Sequence, residues 1–258
     1  MLHRILLKGV GVMFLSSLAL AGDPPAGGAP EGAAASASTA EAVEILKKVD
    51  AAAKAVKAAK YEVKFEGLGD TATKIPVVEG TWLTAEIGDN GPKKYRIDAK
   101  MTFTGKEPRK VTAGSDGETY YLLDHVEKKA YVDIDPNVIG RTTGGPLRQA
   151  TMGELGHSRP YSDEIDGKVK ELKGTKIING EDCYEIFVTY ASAPQDSIWW
   201  FSKKDFLPRA RQNITKRGES VTTSLQSLAK LEIDPKLAPD AFKLVIPEGY
   251  EKTDDFAP

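Results

Sequence analysis

The strongest constraint on this fold is the regular alternation of apolar and polar residues along much of the chain. Tyr61, Val63 and Phe65 alternate with charged residues, and a second clear run extends from Tyr95 to Phe103. Period-two alternation is typical of strands with one buried and one polar face. Successive strands of this kind form antiparallel sheets with one face packed on a core. The sequence therefore predicts a mainly β protein.

Turn residues separate these runs. Asn179-Gly180, between two apolar stretches, is the strongest hairpin indication in the chain. Further turns are predicted at 89–92 and 115–117. About ten strands fit between the turns, and a sheet of that size curls toward a barrel or half-barrel. The predicted fold class is mainly β with a packing helix (α+β), an open antiparallel half-barrel.

Two further segments are predicted to cover this sheet. A helix is expected from Glu41 to Ala59, with Ser38 or Thr39 as its N-cap. Its apolar face is predicted from residues at helical spacing, namely Ile45, Val49, Ala53 and Val56. The stretch at about 136–166 interrupts the strand pattern and is expected to be a lid-like insertion, with a short helix near 146–155. Its lid candidates are Leu147, Met152 and Leu155.

The N-terminus has the features of a targeting segment. Residues 1–21 combine a positive start, an apolar run and the small-residue signal Ala19-Leu20-Ala21, as in a cleavable signal peptide. Gly22 stands where a lipidated cysteine would be required, so we expect an exported, non-lipidated periplasmic protein. Residues 22–39 are rich in Ala, Gly and Pro and are expected to be a disordered linker. The folded domain is predicted at 40–252, followed by a tail at 253–258.

The composition argues against several classes of function. With 35 basic and 37 acidic residues the net charge is -2, without the basic surface that nucleic-acid binding requires. Cys183 is the only cysteine, so neither an intramolecular disulfide nor a cysteine metal site can form. We interpret it as a small buried side chain.

Catalytic patterns are also weak. The histidines after residue 21 are His125 and His157, without metal-ligand spacing or a nucleophile elbow nearby. A hydrolase would require His157, Asp163 and a serine to meet in one cleft. We therefore predict a non-enzymatic protein with no cofactor and no metal.

Several segments, in their order along the chain, resemble the bacterial outer-membrane lipoprotein carrier (LolA-like) superfamily. The C-terminal stretch contains an AspPro strand end, a predicted Phe242–Ile246 strand and ProGluGlyTyr. The other similar segments lie at 45–65, 92–97, 114–124, 173–186 and 200–209.

This resemblance implies an open half-barrel with helices as a lid and an apolar concavity that holds acyl chains. It implies a carrier or binder of lipid acyl chains or lipoproteins, without a transmembrane span in the mature protein. Tyr95 matches an aromatic residue that faces the cavity in the carrier. Gly91 stands where the carrier has its lid-latching arginine, so the carrier-style latch is absent at that position.

The cavity candidates are large apolar residues at inward positions of the predicted strands. They are Tyr61, Val63, Phe65, Trp82, Tyr95, Ile97, Phe103 and Tyr121. These same side chains would equally fill a closed core under the helix.

A second function class remains open, a periplasmic sensor or scaffold that binds an envelope protein partner. Trp199, Trp200 and Phe201 are consecutive, so in a strand they cannot all face one way. One set is expected in the core, and the other is expected to be exposed or to line a cavity. A cavity filled by the protein's own side chains, with an exposed Trp199 or Trp200, would favour the scaffold.

Overall fold

The chain forms one open sheet of twelve strands. The computed structural model describes residues 31–88, 91–135, 145–191 and 193–253. The strands are β1 (Ala58–Gly67), β2 (Val77–Gly88), β3 (Gly91–Thr102), β4 (Arg109–Ser115), β5 (Tyr120–Asp124), β6 (Lys129–Asp133), β7 (Val169–Ile178), β8 (Glu181–Thr189), β9 (Gln195–Ser202), β10 (Pro208–Arg217), β11 (Ser220–Ile233) and β12 (Glu251–Thr253).

The sheet order is β12-β6-β5-β4-β3-β2-β1-β11-β10-β9-β8-β7. All described neighbours pair antiparallel except β12, which runs parallel to β6. Because β12 and β7 are the outer strands, the sheet does not close into a barrel. The predicted open antiparallel sheet with an N-terminal helix packed on it is confirmed.

The first helix, α1 (Glu31–Lys54), begins earlier than the predicted Glu41. Ser38 is therefore not an N-cap. It lies inside the helix and its hydroxyl donates a 3.0 Å hydrogen bond to the carbonyl of Leu172 on β7. The Ala-rich sequence favours helix there, since alanine has the highest helix propensity. Nine residues assigned to the linker, 31–39, are thus helical, whereas 1–30 lie outside the described residues.

The same helix ends at Lys54 rather than at the predicted Ala59. A contact between residues distant in sequence holds the chain beyond this end. The Asp234 carboxylate accepts 2.9 Å hydrogen bonds from the backbone N–H groups of Lys57 and Ala58, which begins β1 immediately after the helix. The predicted apolar face is confirmed, because all four of its residues are buried, namely Ile45, Val49, Ala53 and Val56.

The two faces of the sheet have different roles. The inner face, covered by α1, bears the main hydrophobic core, which includes Tyr61, Trp82 and Trp199. The outer face carries two small apolar clusters. One contains Ala58, Ala85 and Phe242, and the other contains Cys183, Trp200 and Ala210.

Between β6 and β7 the described part of the insertion, residues 145–166, lies against the inner face. It consists of α2 (145–150), a 3₁₀ helix (Gly153–Gly156) and α3 (Ser162–Ile165). The helix predicted at 146–155 is thus two short helices. Residues 136–144 of the predicted insertion lie outside the described residues.

The predicted strand at Phe242–Ile246 is wrong. These residues have irregular structure, and Val245 is 68% exposed. Prolines on both sides, Pro239 and Pro247, lack the N–H group that a ladder requires. The segment crosses the outer face, where Phe242 is buried, before the chain reaches β12.

Candidate functional site

The candidate site is the inner face beneath the insertion. Five of the predicted cavity residues are buried there in one cluster, namely Tyr61, Val63, Phe65, Trp82 and Ile97. Tyr95 and Phe103 are partly buried against the same cluster. Phe103 follows the last residue of β3 rather than lying within the strand.

Tyr121 does not line this face. Its chain neighbours Tyr120 and Leu122 pack with the inner core, so Tyr121 faces the opposite way. Its hydroxyl donates a 3.2 Å hydrogen bond to the carbonyl of Phe242, across the outer face. Tyr121 fixes the C-terminal segment, and its assignment as a cavity residue is wrong.

The three lid candidates belong to the same core cluster as the cavity residues. Leu147, Met152 and Leu155 are 1%, 2% and 1% exposed and belong to the inner core. Tyr61 and Trp82, beneath them, are 1% and 0% exposed. The insertion therefore fills the space over the inner face with its own aliphatic side chains.

Polar side chains of the sheet hold the insertion in place. Tyr61 accepts a 3.3 Å hydrogen bond from the backbone N–H of Met152, and Trp82 Nε1 donates a 3.1 Å hydrogen bond to Thr151 Oγ1. Gln226 Nε2 donates a 2.7 Å hydrogen bond to the carbonyl of Ala150. These three hydrogen bonds join residues 150–152 of the insertion to the sheet.

An ion pair strengthens the same contact. Arg211 Nη1 on β10 donates a 2.8 Å hydrogen bond to Glu154 Oε1 of the insertion, and both side chains are only 16% exposed. Arg211 Nη2 donates to Gln226 Oε1 at 3.1 Å, and the guanidinium lies 4.8 Å from the centre of the Trp199 ring. Burial is the largest single effect on the pKa of Arg211 and lowers it. The charges of Glu154, Tyr190, Glu164 and Tyr161 together outweigh burial, so the pKa of Arg211 is raised.

A second polar chain runs beside this pair. Trp199 Nε1 donates to Tyr190 Oη at 3.2 Å, and Tyr190 Oη donates to Glu164 Oε1 at 2.6 Å. Burial raises the pKa of Glu164 to about 7, against the hydrogen bond from Tyr190 and with help from the charge of Glu154. A carboxyl group that changes charge near neutral pH therefore lies at the edge of the site.

Three polar atoms in this cluster are buried without a hydrogen-bond partner among the described residues. They are Glu154 Oε2, Arg211 Nε and Tyr161 Oη. Most buried polar groups in proteins are satisfied, so such a concentration marks an unusual place in an apolar core. Sequence reasoning missed Arg211 and Glu154, because their pairing joins residues 57 positions apart.

The tryptophan-rich strand differs from its prediction. Trp199 and Phe201 belong to the inner core as one set, but Trp200 is neither exposed nor in a cavity. It is 4% exposed on the outer face, where its Nε1 donates to Glu185 at 2.7 Å and Lys176 lies 4.9 Å from its ring.

The other reactive side chains have structural partners. His125 Nε2 hydrogen-bonds Thr112 Oγ1 at 2.8 Å, and its Nδ1 hydrogen-bonds Tyr250 Oη at 2.7 Å. His157 Nδ1 accepts a hydrogen bond from the backbone N–H of Arg159. Burial raises the pKa of Cys183 to about 11, consistent with a small buried side chain.

Among the described residues, no group of three or more His, Cys, Asp and Glu side chains is arranged to hold a metal ion. No helix in the described part of the chain has the length and apolar character needed to cross a membrane. The described inner face combines apolar side chains with a small polar group that includes Arg211, Glu154 and Gln226.

No family model matches this chain, and no curated protein matches it. Several solved structures do match this chain. LprF from Mycobacterium bovis aligns with 10% identity and a TM-score of 0.49, over 79% of this chain and 98% of LprF. The MucA/MucB complex of Pseudomonas aeruginosa aligns with 12% identity and a TM-score of 0.45, over 80% of this chain but only 61% of the matched chain.

A LolA superfamily protein from Nitrosomonas europaea is also among the matches. It aligns with 12% identity and a TM-score of 0.36, over 79% of this chain and 97% of that protein.

Proposed function

We propose that this protein is a non-catalytic periplasmic carrier or binder of lipid or lipoprotein acyl chains. Its binding surface is the inner face, and the insertion occupies that surface while no ligand is bound. The observation that supports this is the insertion itself. Leu147, Met152 and Leu155 are flexible aliphatic side chains in the same core cluster as Tyr61 and Trp82, where an acyl chain would make the same kind of contact.

The energetics set a minimum chain length for such a ligand. Each fully buried side chain of this size contributes about 2 kcal/mol, so the three together contribute about 6 kcal/mol. A buried methylene contributes about 0.8 kcal/mol, so about eight methylenes are needed to replace them. We therefore expect short fatty acids to fail and long-chain acyl ligands to bind.

A protein-binding scaffold is the second candidate. The inner face is filled by the protein's own side chains, as expected for a scaffold, but Trp199 and Trp200 are both buried. The observation that favours it lies at the sheet edge. β7 is an outer strand. Its Leu172 carbonyl is already bonded to Ser38 of α1, but Ile177 beyond it is 65% exposed, so a partner strand could pair with that end of β7.

The test compares acyl binding to the mature protein and to a Leu155→Ala variant by titration with a series of fatty acids of increasing length. Leu155→Ala weakens the packing of the insertion on the inner face, where the insertion competes with the ligand. The affinity of this variant for long acyl chains should therefore increase. The matched control is Leu225→Ala, which removes the same side chain from the outer-face cluster and should not change the affinity. If folded samples of all three proteins bind no acyl chain of any length, the proposal is wrong.

A further inference from the structure

Contacts with an acyl chain do not require a charged side chain, yet the inner face contains the nearly buried Arg211. Arg211 lies on β10 directly opposite Trp199, a residue of the main core, and its side chain is 16% exposed. A buried charge is costly unless it is paired and hydrogen-bonded. Here its only described carboxylate partner, at 2.8 Å, is Glu154, and that residue belongs to the insertion and not to the sheet.

The insertion therefore presents two chemical features side by side. Glu154 supplies a carboxylate, and its neighbours Met152 and Leu155 supply buried aliphatic chains. This arrangement matches a single-chain anionic amphiphile, with one charged end and one apolar tail. If the insertion leaves the inner face, Arg211 and the tail site are uncovered together.

Hydrogen-bonding capacity is available for an incoming anion. Arg211 uses Nη1 for Glu154 and Nη2 for Gln226, while its Nε has no partner among the described residues. The Tyr161 hydroxyl is likewise unpartnered, although Tyr161 is 0% exposed. Its ring packs edge-on against Trp199 at 5.4 Å, and its backbone N–H donates to Asp50 of α1 at 3.4 Å. These contacts hold Tyr161 to the helix and the sheet rather than to residues 145–156.

We propose that Arg211 is a binding residue for the carboxylate of a fatty-acid-type ligand, and that Glu154 is an internal substitute for that carboxylate. The inference rests on the proposed function, because it names the head group of the same ligand. The planar guanidinium group of an arginine donates two parallel hydrogen bonds to the two oxygens of a carboxylate. Glu164 lies close to the same arginine, and a second negative charge on the ligand would meet its carboxyl group. A singly charged carboxylate therefore fits better than a phosphate dianion.

The experiment compares palmitate with methyl palmitate, which has the same tail without the charge, on the full mature protein. Wild type should bind palmitate at least about tenfold more tightly, as expected for one charge-assisted hydrogen-bonded pair. Glu154→Gln removes the internal carboxylate with little change in shape and should raise palmitate affinity about tenfold. Arg211→Met should bind both ligands with similar affinity.

Arg209→Met is the matched control. Arg209 is also a buried arginine of β10, but it pairs with Glu181 and Asp205 instead of the insertion. This variant should keep the preference for palmitate. If Arg211→Met does not fold, the wild-type preference and the Glu154→Gln gain decide the question.

The outcomes separate the two proposals. Equal binding of palmitate and methyl palmitate to wild type, unchanged by Glu154→Gln, would overturn the head-group assignment and leave acyl binding in place. Binding of neither ligand to wild type or to Glu154→Gln would overturn acyl binding, and the head-group assignment with it.

Discussion

The hydroxyl group of Tyr190 donates a 2.6 Å hydrogen bond to Glu164, a carboxyl-bearing residue that is only 4% exposed. Burial is the main reason that the pKa of Glu164 rises from 4.5 to about 7. The folded state therefore binds a proton more tightly than the unfolded state does. Between about pH 4.5 and about pH 7, the contribution of Glu164 to the free energy of unfolding therefore falls as the pH rises.

Glu164→Gln should remove this loss. At about 1.4 kcal/mol per pH unit, the difference between the pKa values of Glu164 in the folded and unfolded states corresponds to about 3 kcal/mol. At pH 8 the variant should therefore be more stable than wild type by up to that amount. The measurement is urea unfolding of both proteins at a series of pH values. The control is Glu44→Gln on the exposed surface of α1. In this variant the free energy of unfolding should still fall between pH 5 and pH 7, as in wild type. Parallel curves for wild type and Glu164→Gln would contradict the prediction.

Tyr61→Phe should loosen the insertion locally. The change removes the acceptor of the Met152 N–H while the ring, stacked with Trp82 at 6.3 Å, is kept. A buried donor without a partner costs about 1–3 kcal/mol. Amide hydrogen exchange at Met152 should therefore become faster.

Tyr95→Phe provides the comparison for that measurement. Tyr95 also lies against the inner core, and its described contact is a tilted ring pair with Tyr120 at 6.5 Å. It should leave the exchange of Met152 unchanged. An equal effect of both substitutions would show that the Tyr61 hydroxyl does not hold the insertion.

Local patterns were sufficient wherever burial affects one face of an element. Tyr61, Val63 and Phe65 were assigned to one face by alternation alone, and they are 1%, 4% and 2% exposed. One buried face imposes its period directly on the sequence. The apolar face of α1 was predicted for the same reason.

The same patterns fail where both faces are apolar. Tyr120 and Tyr121 are adjacent, so alternation could not decide which of them faces inward. Trp200 is buried because the outer face has its own cluster with Cys183 and Ala210. The end of α1 and the Arg211–Glu154 pair depend on contacts between distant segments, which periodicity does not report.

Gly80→Ala should destabilise the sheet beside the site. A Cβ atom at Gly80 would overlap the carbonyl oxygen of Asp98 and lie 2.8 Å from Ala99 Cα, both in the backbone of β3. Backbone atoms cannot rotate away, so a cost of about 1–3 kcal/mol is expected from overpacking. Thermal or urea unfolding measures it.

The control for this substitution is Gly153→Ala. No atom lies within 4 Å of a Cβ at Gly153, an exposed residue that begins the 3₁₀ helix, so an added methyl group meets no backbone atom. The stability of this variant should stay the same or increase. Unchanged stability of Gly80→Ala would mean that β2 and β3 move apart without cost.

The C-terminal segment should depend on a hydrogen bond to His125. Thr112 Oγ1 donates to Asp98 at 2.7 Å, so His125 Nε2 donates to Thr112, and His125 Nδ1 hydrogen-bonds the Tyr250 hydroxyl at 2.7 Å. Tyr250 directly precedes β12, which pairs with β6 through only three residues. Tyr250→Phe should therefore cost about 1 kcal/mol and speed proteolysis near residues 245–253. Tyr184→Phe, whose described contacts are through its ring, should not do so, and equal cleavage of both variants would contradict the role of the hydroxyl.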